Sequence, residues 1–91
     1  MRPEITDNAK EARKNTIARK TLQTQQAVGR KIRRLRSDKN FTQEAFADHC
    51  GIHRSFMGQI ERGESNLCIS TLVALAEGLE LDFTTLVGTL D

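Results

Sequence analysis

The 91-residue sequence has no long run of apolar residues. A membrane-spanning helix needs about 20 of them in succession. The first residues, MRPEITDNAKEARK, also lack the apolar core that a secretory signal requires. A length of 91 residues is enough for one small domain whose stability would gain from a partner. We therefore expect one cytoplasmic domain that makes no contact with a membrane.

Cysteine is scarce, with only Cys50 and Cys68. In a reducing cytosol we expect two free thiols, with Cys50 acting as a small core hydrophobe. His49 and His53 are also near in sequence, but no C-x₂-C pair is present, so the spacing argues against a zinc site. A cysteine nucleophile with a histidine base would need a pocket that so small a chain has little room for. The sequence thus predicts no metal, no cofactor and no enzymatic activity.

Lysine is absent after Lys39, and charge is divided along the chain. Residues 1–40 carry twelve Lys or Arg against four acids, whereas residues 41–91 carry two Arg against eight acids. This asymmetry predicts that the N-terminal part meets a polyanion, while the acidic part faces away from it or toward a partner. A solvated basic tail without function is the alternative.

The stretch from Thr42 to Gly63, TQEAFADHCGIHRSFMGQIERG, has the signals of two helices around a tight turn. Thr42 is a good N-cap, and Glu44 in the first turn suits the helix dipole. Gly51 ends the first helix because glycine adopts the left-handed conformation freely. A second helix follows over about His53 to Arg62. This order predicts a helix-turn-helix.

Periodicity assigns the faces of these two helices. Apolar side chains share the inward face, namely Phe46, Ala47, Cys50, Met57 and Ile60, with Ile52 filling the turn. The opposite face of the second helix carries Arg54, Ser55, Gly58, Gln59 and Arg62. Arg and Gln make bidentate contacts to base edges and Ser adapts to several, so this face is predicted to read a DNA major groove. Gly58 on this face either permits close approach to a base or is a substitution that the helix tolerates without a function.

Three further helices are predicted around this motif. Residues 25–37 form a basic amphipathic helix with Val28, Ile32 and Leu35 inward, and Phe41 follows as a core anchor. A fourth helix begins at a cap on Cys68 or Ser70, with these residues inward: Ile69, Leu72, Leu75, Ala76 and Leu79. Asp82 caps a short fifth helix. Its Phe83, Leu86 and Val87 present more apolar surface than it can hide, which predicts a dimer interface.

Residues 1–22 are predicted to be a basic N-terminal arm, either disordered or helical, ahead of a domain over residues 23–91. The side chains of Ile17, Thr21, Thr24 and Val28 would share one stripe of a helix. Such an arm would either lay its basic side chains along phosphates or extend a dimer contact. Both hypotheses stay open at the level of sequence.

The segments IRRLR, FTQEAFA, CGIHRSFMGQIERG and LVALAEGLEL resemble the Cro/repressor-type helix-turn-helix regulators, also called the XRE family. The resemblance covers about Val28 to Val87. It implies an all-α, compact five-helix bundle of the lambda-repressor-like DNA-binding type, with the third helix in the major groove of double-stranded DNA. Among compact members, the controller proteins of restriction-modification systems are the most similar group.

The resemblance also implies roles for single residues. The positions that read bases are Arg54, Ser55 and Gln59. Gln43 matches a phosphate-clamping glutamine at the start of the second helix. The remaining DNA-backbone contacts are assigned to Thr42, His53, Arg62 and Arg34. Arg36 and Glu61 match a pair that joins the first helix to the third by a salt bridge. Leu67 and Cys68 depart from the family pattern, which has Pro and a Ser or Thr cap there.

These features predict a homodimeric, sequence-specific transcriptional regulator acting on an inverted-repeat operator. The alternative is an antitoxin-type module that neutralises a partner toxin and regulates its own gene through the same helix-turn-helix. The two hypotheses differ in whether a second polypeptide binds tightly at a surface away from Arg54.

Overall fold

The computed structural model describes residues 7–88, which form five α-helices. The helices are α1 (Asp7–Asp38), α2 (Gln43–Cys50), α3 (Arg54–Glu61), α4 (Ile69–Gly78) and α5 (Phe83–Gly88). Helix α1 packs on α3, α2 packs on both α3 and α4, and α5 packs on α4. The described residues contain no strand, so the all-α, five-helix architecture is confirmed. None of these helices combines the length and apolarity needed to cross a membrane.

A single core holds the five helices together. Its fully buried side chains come from every helix: Ile32, Phe46, Ala47, Met57, Ile60, Leu75, Ala76, Leu79 and Leu86. Cys50 and Ile52 are half-buried at its edge, as is Phe41, whose ring centroid lies 5.4 Å from that of Phe46. The period of 3.6 residues thus identifies the inward faces of α2 and α3 from sequence.

Helix α1 is one continuous helix of 32 residues, so it runs through the predicted boundary between arm and domain. Its residues 7–26 are exposed, apart from partial cover of Thr16 and Gln25. They give the molecule its length, with principal extents of 54 × 24 × 21 Å. The division into arm and domain stays a prediction, and residues 1–6 and 89–91 lie outside the described residues.

Gly29 sets how closely α1 approaches α3. A Cβ at this position would lie 2.5 Å from the carbonyl oxygen of Ile60 and 2.7 Å from that of Glu61. Those are backbone atoms of α3, which cannot move aside without shifting the helix. Glycine is therefore needed here for close packing, and this packing places α3 against α1.

Two sequence-based expectations about burial are wrong. Ile69 was expected to face inward, but it is 66% exposed, because it begins α4 and the first turn of that helix extends beyond the core. Leu86 was expected to stay exposed as part of a dimer interface, but it is 2% exposed because α5 packs it into the core of its own chain. Phe83 and Val87 are half-buried.

Candidate nucleic-acid interface

The turn between α2 and α3 is fixed by local hydrogen bonds. The Thr42 hydroxyl accepts a hydrogen bond from the backbone N–H of Ala45 at 3.1 Å, which caps α2 as the sequence predicts. Gly51 has a φ of 71°, and its N–H reaches the last carbonyl oxygens of α2. The N–H of Ile52 then donates to the carbonyl oxygen of Ala47 at 2.9 Å, so the chain leaves α2 in one defined direction.

His53 caps the start of α3. Its Nδ1 accepts a hydrogen bond from the backbone N–H of Ser55 at 3.2 Å and lies 2.7 Å from the Ser55 hydroxyl oxygen. Both side chains are exposed at the same end of the helix. The expected DNA-backbone residue His53 and the expected base-reading residue Ser55 are therefore held side by side, with Nδ1 already engaged in capping.

Arg54, the first residue of α3, is held by Asp48 of α2. Its Nη2 and Nε donate to the two carboxylate oxygens of Asp48 at 2.8 and 3.2 Å. This contact holds the pKa of the Asp48 carboxyl below its usual value. Sequence reasoning missed this pair. The available signal was an acid and a base flanking the Gly51 turn, six residues apart.

A buried ion pair joins α1 to the end of α3. Arg36 donates to the carboxylate oxygens of Glu61 at 2.7 and 2.9 Å and to the carbonyl oxygen of Phe41 at 2.7 Å. The exposed fractions of the Arg36 and Glu61 side chains are 12% and 3%. The hydrogen bond to Glu61 raises the pKa of Arg36. Gln43 Nε2 adds a third donor to Glu61 at 3.2 Å.

Gly58 is buried, which corrects the expectation that it lies open on the reading face. A Cβ there would lie 3.0 Å from Nη1 of Arg62 and 3.5 Å from Oε1 of Gln43. These two side chains cover the glycine, and the Arg62 guanidinium is further paired with Glu64. A side chain at position 58 would therefore crowd the guanidinium of Arg62, while Gln43 would remain at ordinary contact distance.

The residues assigned to DNA from the sequence lie along α3 and at the two helix starts beside it. Arg54, Ser55, Gln59 and Arg62 are exposed on α3, and Met57 and Ile60 are buried on its other side. Gln43 is half-buried at the start of α2, while Thr42, His53 and Arg34 are exposed. The structure brings Gln43, Arg36 and Glu61 together.

In the described part of the chain, no three His, Cys, Asp or Glu side chains cluster in a way that suits a metal ion. The arrangement around α3 instead combines guanidinium, amide and hydroxyl groups on one exposed strip. Such groups donate hydrogen bonds to phosphate oxygens and base edges.

Residues 27–87 match the family described as Helix-turn-helix domain, and the chain belongs to that family. It is similar to control protein C.SmaI of Serratia marcescens, with 34% identity over 58 residues that make up 64% of this chain and 69% of the relative. The control protein C.BamHI of Bacillus amyloliquefaciens is 35% identical over 65 residues, or 64% of this chain and 80% of the relative.

Solved structures agree with this assignment. The restriction-modification controller protein C.AhdI from Aeromonas hydrophila superposes with a TM-score of 0.66 at 32% identity, covering 68% of this chain and 94% of its own. The wild-type restriction-modification controller protein C.Esp1396I has a TM-score of 0.63 at 30% identity, covering 70% and 86%. The predicted Cro/repressor-type helix-turn-helix and the likeness to controller proteins are thus confirmed.

Proposed function

We propose that this protein is a homodimeric transcriptional regulator that binds an inverted repeat in double-stranded DNA through α3. The observation that carries the proposal is the division of α3 into two sides. Met57 and Ile60 anchor one side in the core, while Arg54 and Gln59 present fork and amide groups to solvent on the other. Those side chains suit guanine and adenine edges in a major groove.

The surrounding residues suit contacts to phosphates. Gln43 stands at the start of α2, where the helix N-terminus attracts an anion, and its amide is oriented by Glu61. Arg62 lies beside it over Gly58, and His53 stands at the start of α3. Thr42 and Arg34 complete the proposed set of backbone contacts. Contacts of this kind set the position of α3 on the duplex, while the base contacts carry the sequence preference.

A homodimer would place two copies of α3 in successive major grooves, about 34 Å apart, which matches an inverted repeat. The relatives named control and controller proteins support a regulatory activity. The half-buried side chains of Phe83 and Val87 are the part of the expected α5 interface that the structure leaves accessible. Leu86 supports this surface from within its own core.

The test is a binding titration over a series of salt concentrations, using DNA from upstream of the protein's own gene and random DNA. The variant Arg54→Ala should lose about 1 to 3 kcal/mol more on the specific site than on random DNA, because one bidentate base contact disappears. Gln43→Ala should weaken both DNAs alike. Arg19→Ala, which removes an equally charged side chain from the exposed start of α1, is the matched control.

Size exclusion of the complex should show two chains for each specific site. If Arg54→Ala bound specific and random DNA as the wild type does, the assigned reading face would be wrong. A complex with one chain per site would contradict the homodimer instead.

A further inference from the structure

The first part of α1 is a helix without cover from the rest of its own chain. We call residues 7–26 the overhang, because they precede the matched domain at residue 27 and are almost entirely exposed. At 1.5 Å per residue the overhang is about 30 Å long. Most helical stability in proteins comes from tertiary packing, which the overhang makes little of within its own chain. A contact on its surface would therefore stabilise it.

The exposed large apolar side chains of the described residues lie on two helices only. Ile17 and Leu22 belong to the overhang, and Ile69 and Val73 belong to α4. Ile17 also lines an open groove of about 350 Å³ whose opposite wall is Leu67 and Leu72. The exposed apolar side chains on both helices, with Ile17 at the edge of the groove, favour a protein partner over a nucleic acid at this place.

The overhang and the segment 63–88, which contains α4, carry opposite net charge. The overhang carries five basic residues against two acids. Residues 63–88 carry four acids, Glu64, Glu77, Glu80 and Asp82, and no Lys or Arg. In a second copy of the chain, the basic overhang would therefore find acidic side chains next to exposed apolar ones.

The overhang and α4 each carry one apolar residue followed by two charged residues at the same spacing, but in opposite chain directions. Going toward its N-terminus, one side of the overhang carries Ile17, Arg13 and Lys10, spaced by four and three residues. Going toward its C-terminus, α4 and the residues just after it carry Val73, Glu77 and Glu80, with the same spacing. The overhang set falls within about 60° of the helix surface, because spacings of four and three return to the same side. Val73 and Glu77 share one side of α4, and Glu80 follows two residues past the helix end with a φ of 58°. An antiparallel contact thus pairs one apolar and two charged positions.

A twofold axis would produce this antiparallel contact. Within one chain α1 and α4 run in the same sense. Leu72, near the start of α4, lies across the groove from Ile17, while Glu80, past its end, lies 3.8 Å from Lys39 at the end of α1. Rotation about a twofold axis perpendicular to the helices reverses the partner's α4. In such an isologous contact each overhang packs on the other chain's α4.

We propose that the overhang of each protomer packs antiparallel on α4 of a second copy. Ile17 then lies on Val73 of the partner subunit, Arg13 beside Glu77 of the partner subunit, and Lys10 beside Glu80 of the partner subunit. This contact rests on the proposed homodimer in needing a second copy, but it does not depend on DNA binding.

The test is a charge swap in the full chain, read by sedimentation equilibrium without DNA at low salt. Arg13→Glu and Glu77→Arg should each weaken the dimer by about tenfold, because each places like charges together in two symmetric positions. The double variant R13E/E77R should recover to within about threefold of wild type. Arg19→Glu, on the opposite side of the overhang, is the matched control and should leave the dimer unchanged.

The apolar pair is tested in the same way. Ile17→Ser should weaken the dimer by about tenfold, while Leu22→Ser, which removes a similarly exposed side chain about 140° around the helix, should not. Circular dichroism would establish that each variant keeps its helices.

The outcomes separate the two proposals. If the dimer persists and none of these variants changes its dissociation constant, the overhang contact is overturned while the homodimer stands. The contact is also overturned if the double variant fails to recover, or if Arg13→Glu weakens only DNA binding, which would assign the overhang to phosphates. A wild-type chain that stays monomeric at every concentration would overturn both the contact and the homodimer.

Discussion

Arg54 and Asp48 are joined across the helix-turn-helix by two hydrogen bonds, of 2.8 and 3.2 Å. Both side chains are exposed, with 61% and 57% of their surfaces in solvent, so the pair contributes little to folding. Under the proposed base-reading role of Arg54, this contact would orient the guanidinium, because a group held at two points has fewer rotamers to lose on binding. We therefore expect Asp48 to act as a positioning residue for Arg54.

Replacement of Asp48 by alanine should lower the preference for specific over random DNA by less than about fivefold, with no measurable change in stability. Random DNA should bind slightly better, because one negative charge is removed. The measurement is competition binding with both DNAs. In an Arg54→Ala background, Asp48→Ala should cause no further loss of preference. A loss that is equal in both backgrounds would show that Asp48 acts independently of Arg54.

The buried pair of Arg36 and Glu61 should respond differently to one substitution than to two. Arg36→Ala should cost about 3 to 5 kcal/mol in the free energy of unfolding, since it leaves the Glu61 carboxylate buried without its partner. The double variant Arg36→Met with Glu61→Leu should lower the free energy of unfolding by less than Arg36→Ala does, because neither charge is then left buried alone. Urea denaturation of the three proteins measures this.

Arg62→Ala is the control for that series, because it removes an arginine from the exposed pair with Glu64 and should cost at most about 1 kcal/mol. A double variant less stable than Arg36→Ala would mean that the pair contributes net stability rather than geometry.

Gly29 and Gly58 should respond in opposite ways to alanine. Gly29→Ala should be strongly destabilising, because the new Cβ would meet backbone carbonyl oxygens of α3. Gly58→Ala should gain up to about 1 kcal/mol from helix propensity, since the Cβ crowds only the flexible end of Arg62 and meets Gln43 at ordinary contact distance. It should also weaken DNA binding by moving the guanidinium of Arg62. Thermal unfolding and DNA titration of both variants test this, and equal destabilisation by the two substitutions would refute it.

The two thiols should differ in reactivity. Hydrogen bonds from the Ser70 and Thr71 side chains lower the pKa of the Cys68 thiol to about 7, whereas burial raises that of Cys50 to about 11. The thiolate is the reactive form. Alkylation by iodoacetamide should therefore rise through about pH 7 at Cys68 and level off above it, while Cys50 in the folded protein stays unmodified.

Peptide mass spectrometry over a pH series would follow both thiols. Cys68→Ser should abolish the labelling of native protein, and unfolding in urea should expose Cys50. Fast labelling of Cys50 at pH 8 in the native state would contradict its burial.

Local chemistry made part of this fold predictable. Thr42 and Gly51 bound α2 where the sequence predicts, because capping and left-handed glycine depend on a few neighbouring residues. The burial of Ile69 and Leu86 was predicted wrongly, since periodicity gives the side of a helix but not what packs against it. The sequence left residues 1–22 open between disorder and a helix, because an exposed polar helix has no strong apolar stripe to mark it.

The candidate site likewise has features that the local sequence predicts and features that depend on the tertiary structure. The exposed face of α3 follows from its spacing alone, whereas the pairing of Arg36 with Glu61, 25 residues apart, came only from resemblance to a family. The contact between Asp48 and Arg54 depends on the angle between two helices, which the turn sets in three dimensions. Gly58 looked like part of the reading face because a helical projection omits the side chains of Arg62 and Gln43, which lie over it.

Because α1 is continuous, the direction of the side chains in its first half is fixed relative to those in its second half. No loop separates Ile17 from Ile32, so the angle between the exposed stripe and the core-facing stripe is set by residue count at about 100° per residue. An insertion of one residue near Gln23 would leave every helix intact. It would rotate the side of the helix that carries Ile17 by about 100° relative to the core. An insertion of seven would nearly restore it and add about 10 Å of reach. The number of residues between Ile17 and Ile32 therefore determines both the direction in which Ile17 points and its distance from the core.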